Sequence, residues 1–144
     1  MPDRIAWEDC KYWKSSKGLE QYLLAEDDIV LAMDRPWISE GFKVAKLTSK
    51  DVPSLLIQRT ARIRSTKMNS DFVLSLLAAP AFAKQCKVTA TTVPHISMGD
   101  IKDYEIIIPP LPLQEQFAAF VRQSDKSKYQ IQKLIRLEVF PDVQ

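Results

Sequence analysis

The stretch Asp103–Val121 reads DYEIIIPPLPLQEQFAAFV, and how it is parsed decides the fold. Tyr104 to Ile108 is rich in β-branched residues and reads as a strand. Pro109 and Pro110 have no amide donor and cannot continue a ladder, so pairing is expected to stop there. Pro112 suits the first helical position, where a missing N–H costs nothing, and Glu115 lies in the first turn, where it favours the helix dipole. From Leu113 to about Val139 no proline or glycine interrupts, so the sequence predicts a helix of up to ~40 Å. Along it Phe117, Val121, Ile131 and Ile135 form a heptad-like stripe, interrupted in the middle by Ser124 and Lys128. Two readings of that stripe stand: one end packs on its own domain and the other on a second helix, or the whole helix folds back on its own core.

Working towards the amino end, alternation and punctuation give an α/β pattern of the α+β kind. IVLAM, Ile29 to Met33, is short, apolar and bounded by acids and by Asp34-Arg35-Pro36, as a buried strand followed by a turn would be. KVAKL, Lys43 to Leu47, alternates apolar and basic residues and reads as a strand with one wet face. LLIQRTARIR, Leu55 to Arg64, places Ile57, Arg59, Ala61 and Ile63 on one side, with Gln58, Thr60, Arg62 and Arg64 on the other. Asn69 is a helix cap for a segment lined by Phe72, Leu76 and Leu77, and Pro80 interrupts it before a shorter helix over Ala81 to Cys86. KVTATTVPHIS is hydroxyl-rich and broken by Pro94, hence a loop; Ser97 to Asp100 has capping-box spacing with Asp in place of Glu.

With 144 residues, 46% hydrophobic and 26% charged, the chain has the composition of a globular domain with its own core. Its apolar runs fall short of the ~20 residues of a bilayer-spanning helix. The opening MPDRIAWEDC lacks the basic and then apolar pattern of a secretory signal, so a cytoplasmic location is expected. Cys10, Cys86 and the single histidine provide no zinc spacing, so reduced thiols and no metal are expected. The net charge of +2 is unevenly spread: residues 1–34 hold four bases and eight acids, and residues 35–67 hold eight bases and two acids. Such an excess is the footprint of a phosphate-binding surface, and it is equally what a solvated basic face looks like.

DDIVLAMDRPWISEGFKVAKL, LLIQRTARIR, FVLSLLAAPAF, TATTVPHISMGDIKDYEIIIPPLPLQEQ and the final helix, in that order, resemble a target-recognition domain with its conserved helix from the specificity subunit of type I restriction–modification enzymes. The resemblance runs from about Leu23 to Ile135 and is most specific in its last block. It implies a non-catalytic module without a cofactor: a small mixed-sheet DNA-recognition domain over residues 1–110, then a long helix over residues 111–144 able to form an antiparallel coiled coil. In that family two recognition domains on antiparallel helices each read half of a split double-stranded DNA target, and the helices scaffold the methyltransferase (modification) subunits. The restriction subunit is a further expected partner, and no membrane is involved. This chain carries at most one recognition domain and one helix, so a half-subunit that dimerises, a fragment and a remnant all stay open. A homodimer would read a symmetric, interrupted site.

The expected DNA-binding residues are Arg35, Lys43, Gln58, Arg62, Arg64, Thr91, Thr92 and His95. Arginines can anchor phosphates or pair with guanine through two donors, and Gln58 can read adenine. Gln58, Arg62 and Arg64 would act from one strand face, whereas Arg59 points the other way as a salt-bridge partner. Thr91, Thr92 and His95 lie in a loop matching one that approaches DNA in the family; the alternative for His95 is a hydrogen-bonded loop histidine. Assembly residues are Phe117, Val121, Ile131 and Ile135. Two rival classes remain. A self-contained enzyme is disfavoured because the glycines Gly18, Gly41 and Gly99 form no cofactor loop and Ile108-Pro109-Pro110-Leu111 lacks the Asn or Asp of an amino-methyltransferase motif. A scaffold that binds modification subunits without reading DNA would lack salt-dependent DNA affinity.

Overall fold

The structure, a computed structural model, describes residues 5, 7–8, 10–38, 41–86 and 95–139. A 3-10 turn at Glu20–Tyr22 leads into strand β1 (Leu23–Leu24), followed by β2 (Ile29–Ala32), β3 (Trp37–Ile38), β4 (Gly41–Phe42), β5 (Val44–Lys46), β6 (Ser54–Leu55) and β7 (Thr60–Ile63). Helices α1 (Ser70–Ala78), α2 (Pro80–Gln85), α3 (Met98–Lys102) and α4 (Leu111–Val139) complete the chain. The arrangement is α+β, ending in one long helix.

The central sheet has the order β5-β2-β7, with both pairings antiparallel; β1 pairs β6, and β3 forms a ribbon with β4. In β2 Ile29 and Leu31 are buried while Val30 and Ala32 are half-buried, so one face of the sheet carries the core. Opposite Leu31 stand Val44 on one neighbour and Ala61 on the other. Val73 and Leu77 of α1, Phe82 of α2 and Ile96 cover that face. Phe82 is fully buried, with its ring centroid 5.1 Å from Phe42 and 4.8 Å from Tyr104.

Local chemistry sets the helix boundaries. Asn69 caps α1 by accepting the N–H groups of Asp71 and Phe72, at 3.0 and 3.1 Å. Pro80 opens α2. Ser97 and Asp100 close a reciprocal capping box on α3, the Asp taking the place usually held by Glu.

Two expected strands are corrected. The run Leu55 to Arg64 is not one strand: β6 ends at Leu55, the chain turns through Gln58 and Arg59, and β7 begins at Thr60. Arg59 adopts a left-handed φ of 61°, and Thr60 Oγ1 donates to the Ile57 carbonyl at 2.6 Å across the turn. Tyr104 to Ile108 forms no strand and pairs with none of the described residues, and Ile107 is 84% exposed. A strand needs a neighbour for its ladder, and β propensity alone does not supply one. The prolines end this segment as expected, and α4 starts at Leu111.

The transition into α4 is held by a buried amide. Gln114, 1% exposed, accepts the Asn69 N–H at 2.9 Å and donates to the Pro109 carbonyl at 2.8 Å. One side chain therefore ties the cap of α1, the proline turn and the first turn of α4. Ala118, one turn on, is fully buried, and the rings of Phe72 and Phe117 meet edge to face at 5.6 Å. A second tie is ionic: Asp71 on α1 pairs with Lys46 of β5 and Arg122 of α4. From Lys126 to Lys133 α4 is exposed. Its 29 residues extend about 43 Å, and its first half packs on α1 through Phe117 and Arg122.

Gln114→Ala leaves the Asn69 N–H and the Pro109 carbonyl without their buried partner. A loss of about 1–3 kcal/mol in urea-unfolding stability is expected, with an unchanged denaturant slope as the mark of a local effect.

Candidate nucleic-acid interface

One end of the central sheet gathers four of the expected DNA-binding residues. The turn after β2 carries Arg35, the turn before β7 carries Gln58 and Arg59, Lys43 precedes β5, and His95 forms an antiparallel bridge with Asp34. Backbone bonds hold these segments together. Met33 N–H donates to the Arg59 carbonyl at 2.9 Å, Ile96 N–H to the Met33 carbonyl at 2.9 Å, and Lys43 N–H to the Pro36 carbonyl at 2.7 Å. Arg35, Lys43, Gln58, Arg59 and His95 are all exposed.

The backbone here is constrained. Arg35, at φ 44°, and Arg59, at φ 61°, occupy the left-handed region that L residues with a side chain adopt only at a cost. Two arginines in that conformation at one end of one sheet form a cluster of local strain, and such clusters concentrate at binding sites. Asp34 pairs with Arg59, as the expectation of a salt bridge for Arg59 holds. Arg35 has no side-chain partner among the described residues.

Arg62 and Arg64 stand elsewhere. β7 runs antiparallel to β2, so Thr60 faces Ala32 at the cluster while Ile63 faces Ile29 at the opposite end. Arg64 follows there and grips Asp28 with two donors, Nε and Nη2, each at 2.6 Å. Asp28 is 1% exposed and also accepts the Ala25 N–H at 2.8 Å. Arg62 is half-buried and donates through Nη1 to the carbonyls of Gln21 and Leu23, at 3.2 and 3.0 Å, fastening the turn before β1. The single polar face expected of Gln58, Arg62 and Arg64 is therefore corrected: the turn at Arg59 breaks the alternation that would have aligned them.

Thr91 and Thr92 lie outside the described residues. On α4, Phe117 meets Phe72 of α1, Val121 is half-buried, Ile131 is exposed, and the side chain of Ile135 lies outside the described part. Leu113 and Phe120 join Phe117 and Ile131 as exposed apolar residues along the helix. Arg59 is the residue that alternation misplaced, because neither Gly nor Pro marks its turn.

Burial pushes the Cys86 thiol up to about 11, and the nearby Asp100 charge adds to the rise. It is thus held protonated at neutral pH, unlike a nucleophilic thiolate. Among the described residues no group of three or more His, Cys, Asp or Glu side chains can hold a metal ion, and no helix is long and apolar enough to cross a membrane.

The family described as "Type I restriction modification DNA specificity domain" matches residues 12–139. Over 115 aligned residues, 76% of this chain, the identity to the type I restriction enzyme EcoAI specificity subunit of Escherichia coli is 34%, and the match covers 19% of that protein. Over 143 aligned residues, 90% of the chain, the identity to the type I restriction enzyme MjaVIII specificity subunit of Methanocaldococcus jannaschii is 29%, with 34% of that protein covered. The chain spans about a fifth to a third of the length of these curated relatives.

Burial raises the Asp28 carboxyl, but the hydrogen bonds from Arg64 and Ala25 and the charges of Arg64 and Arg62 outweigh it, leaving the group below the usual carboxylate range. The folded state therefore holds this proton less tightly than the unfolded chain, where the carboxyl titrates near about 3.9. The stabilisation is complete above that value and is lost as pH falls through the folded one. Asp28→Asn is expected to lower stability at pH 7 and to reduce the further loss below about pH 4, measured as urea midpoints across pH.

Proposed function

This chain belongs to the type I restriction modification DNA specificity domain family, and on that premise we propose that it reads a double-stranded DNA sequence for a type I restriction–modification system. The observation that carries the reading is the exposed cluster of Arg35, Lys43, Gln58, Arg59 and His95, built on turns locked together at one end of the sheet. Cationic and amide side chains on a rigid support are what phosphate anchoring and base-edge contact require. The names of the relatives, specificity subunits of type I restriction enzymes, point the same way. Arg35 and Lys43 serve as phosphate contacts, while Gln58 and His95 meet base edges or the backbone, and Thr91 and Thr92, which precede His95 in the sequence, are assigned to the same contact set. Arg64 and Arg62 act chiefly by holding Asp28 and the turn before β1, and add positive potential behind the contact surface.

The long helix is the assembly and spacing element. Its first half is fixed to α1, and the exposed stretch from Lys126 to Lys133, with Ile131, is offered to a second helix from another copy or another recognition domain, Ile135 being the next residue of the same stripe in the sequence. Catalysis belongs to partner methyltransferase and restriction subunits, in the cytoplasm. The direction of α4 relative to the contact cluster then sets how far apart two half-sites lie.

Arg35→Ala and Lys43→Ala are each expected to weaken duplex binding without sequence preference. Each should also reduce the slope of log affinity against log salt by about 0.9 in anisotropy titrations. Arg64→Ala should lower stability more than it lowers affinity. Ile131→Asp lies on the exposed part of α4, so folding should persist while the assembled species is lost in light-scattering chromatography. Wild-type chain that co-purifies with modification subunits yet shows no salt-dependent DNA affinity would establish the scaffold reading instead.

A further inference from the structure

Resting on the DNA-recognition reading, we propose that Arg59 is a specificity-determining residue that reads guanine through two parallel donors, with Asp34 as its positioning residue. The side chain of Arg59 is 73% exposed, yet it is tethered: Nη1 is held by Asp34 Oδ2. That bond uses one corner of the guanidinium and leaves the Nε–Nη2 edge without a partner among the described residues. Two parallel N–H donors on that edge match the O6 and N7 acceptors that guanine presents in the major groove. The contrast with Arg64 is instructive, because Arg64 spends this same edge on Asp28.

The support beneath Arg59 is rigid. Its carbonyl accepts the Met33 N–H at 2.9 Å, Thr60 Oγ1 closes the turn on the Ile57 carbonyl at 2.6 Å, and Asp34 is itself bridged to His95. An exposed arginine ordinarily loses much rotamer freedom on binding; one already oriented by a carboxylate loses less. Compensation by Asp34 also makes Arg59 a poorer anchor for a phosphate than Arg35, which has no side-chain partner among the described residues. The two arginines are therefore expected to behave differently towards salt and towards sequence.

The test selects bound duplexes from a random pool with the chain assembled with its modification subunits, followed by sequencing, for wild type, Arg59→Lys, Arg59→Gly and Asp34→Asn. Arg59→Lys keeps the charge but lacks the paired donors. Arg59→Gly accepts the left-handed φ without strain, so its fold is secure. Both are expected to lose about 10- to 100-fold of the preference at one G·C position, leaving the other positions and the salt slope as in wild type. Asp34→Asn should weaken preference at that same position alone, with an unchanged melting temperature distinguishing positioning from folding. An unaltered motif in Arg59→Lys and Arg59→Gly overturns the proposal. So does a uniform fall at all positions with a shallower salt slope, which would make Arg59 a phosphate contact. Absence of any motif in wild type overturns the DNA-recognition reading itself, and this inference with it.

Discussion

The buried carboxamide of Gln114 is the constraint on which the rest of the arrangement depends. It accepts from the cap residue of α1 and donates to the carbonyl of Pro109, so the direction of a 29-residue helix is referred to the helix that covers the sheet. A buried amide with both ends satisfied is more directional than an apolar contact, because rotation of α4 would orphan two backbone groups as well as its own. Asp71 adds a longer-reaching tie from the sheet through Lys46 to Arg122. Burial raises the Asp71 carboxyl, and the hydrogen bonds and charges of Lys46 and Arg122 more than offset that, so it remains ionised and able to hold both cations at neutral pH.

Reference of helix to sheet gives the contact cluster its meaning. Under the proposed function, a reading surface on one sheet end serves a split target only if its position relative to the long helix is fixed. Here the fixed half of α4 lies against α1, α1 lies across β5, and β5 lies beside β2, whose far turn carries Asp34 and Arg35. Each step in that chain is a packed or hydrogen-bonded interface between regular elements rather than a loop. The strained arginines at the turns are tolerated because the sheet on one side and the Met33 and Ile96 bonds on the other over-determine their backbone.

Much of this was legible in the residues. Asn69, Pro80, the Ser97–Asp100 box and the proline-to-helix transition are local signals with local causes, and the structure has each of them. The strands at IVLA and VAK were marked by apolar runs between turns. What local pattern did not reveal depends on partners distant in sequence. Tyr104 to Ile108 has strand-forming side chains and no pairing neighbour among the described residues. The turn at Arg59 carries no Gly or Pro, so alternation ran through it and placed Arg59 away from Gln58. Arg64 looked like a free cation because Asp28 is 36 residues away. The role of Gln114 has no local mark in the sequence, because its partner Asn69 lies 45 residues earlier. The spread of charge indicated a basic region, while the three-dimensional pairing decides which of its members remain available.

The decisive measurement is photo-crosslinking of duplex DNA to the chain co-expressed with type I modification subunits, with the modified residues mapped by mass spectrometry. Crosslinks are expected at residues 34–36, 43, 57–59 and 95, with residues 126–133 of α4 unmodified by DNA. Crosslinks concentrated on the Arg62–Arg64 end of the sheet or along residues 126–133, with that cluster untouched, would contradict this placement of the contact surface.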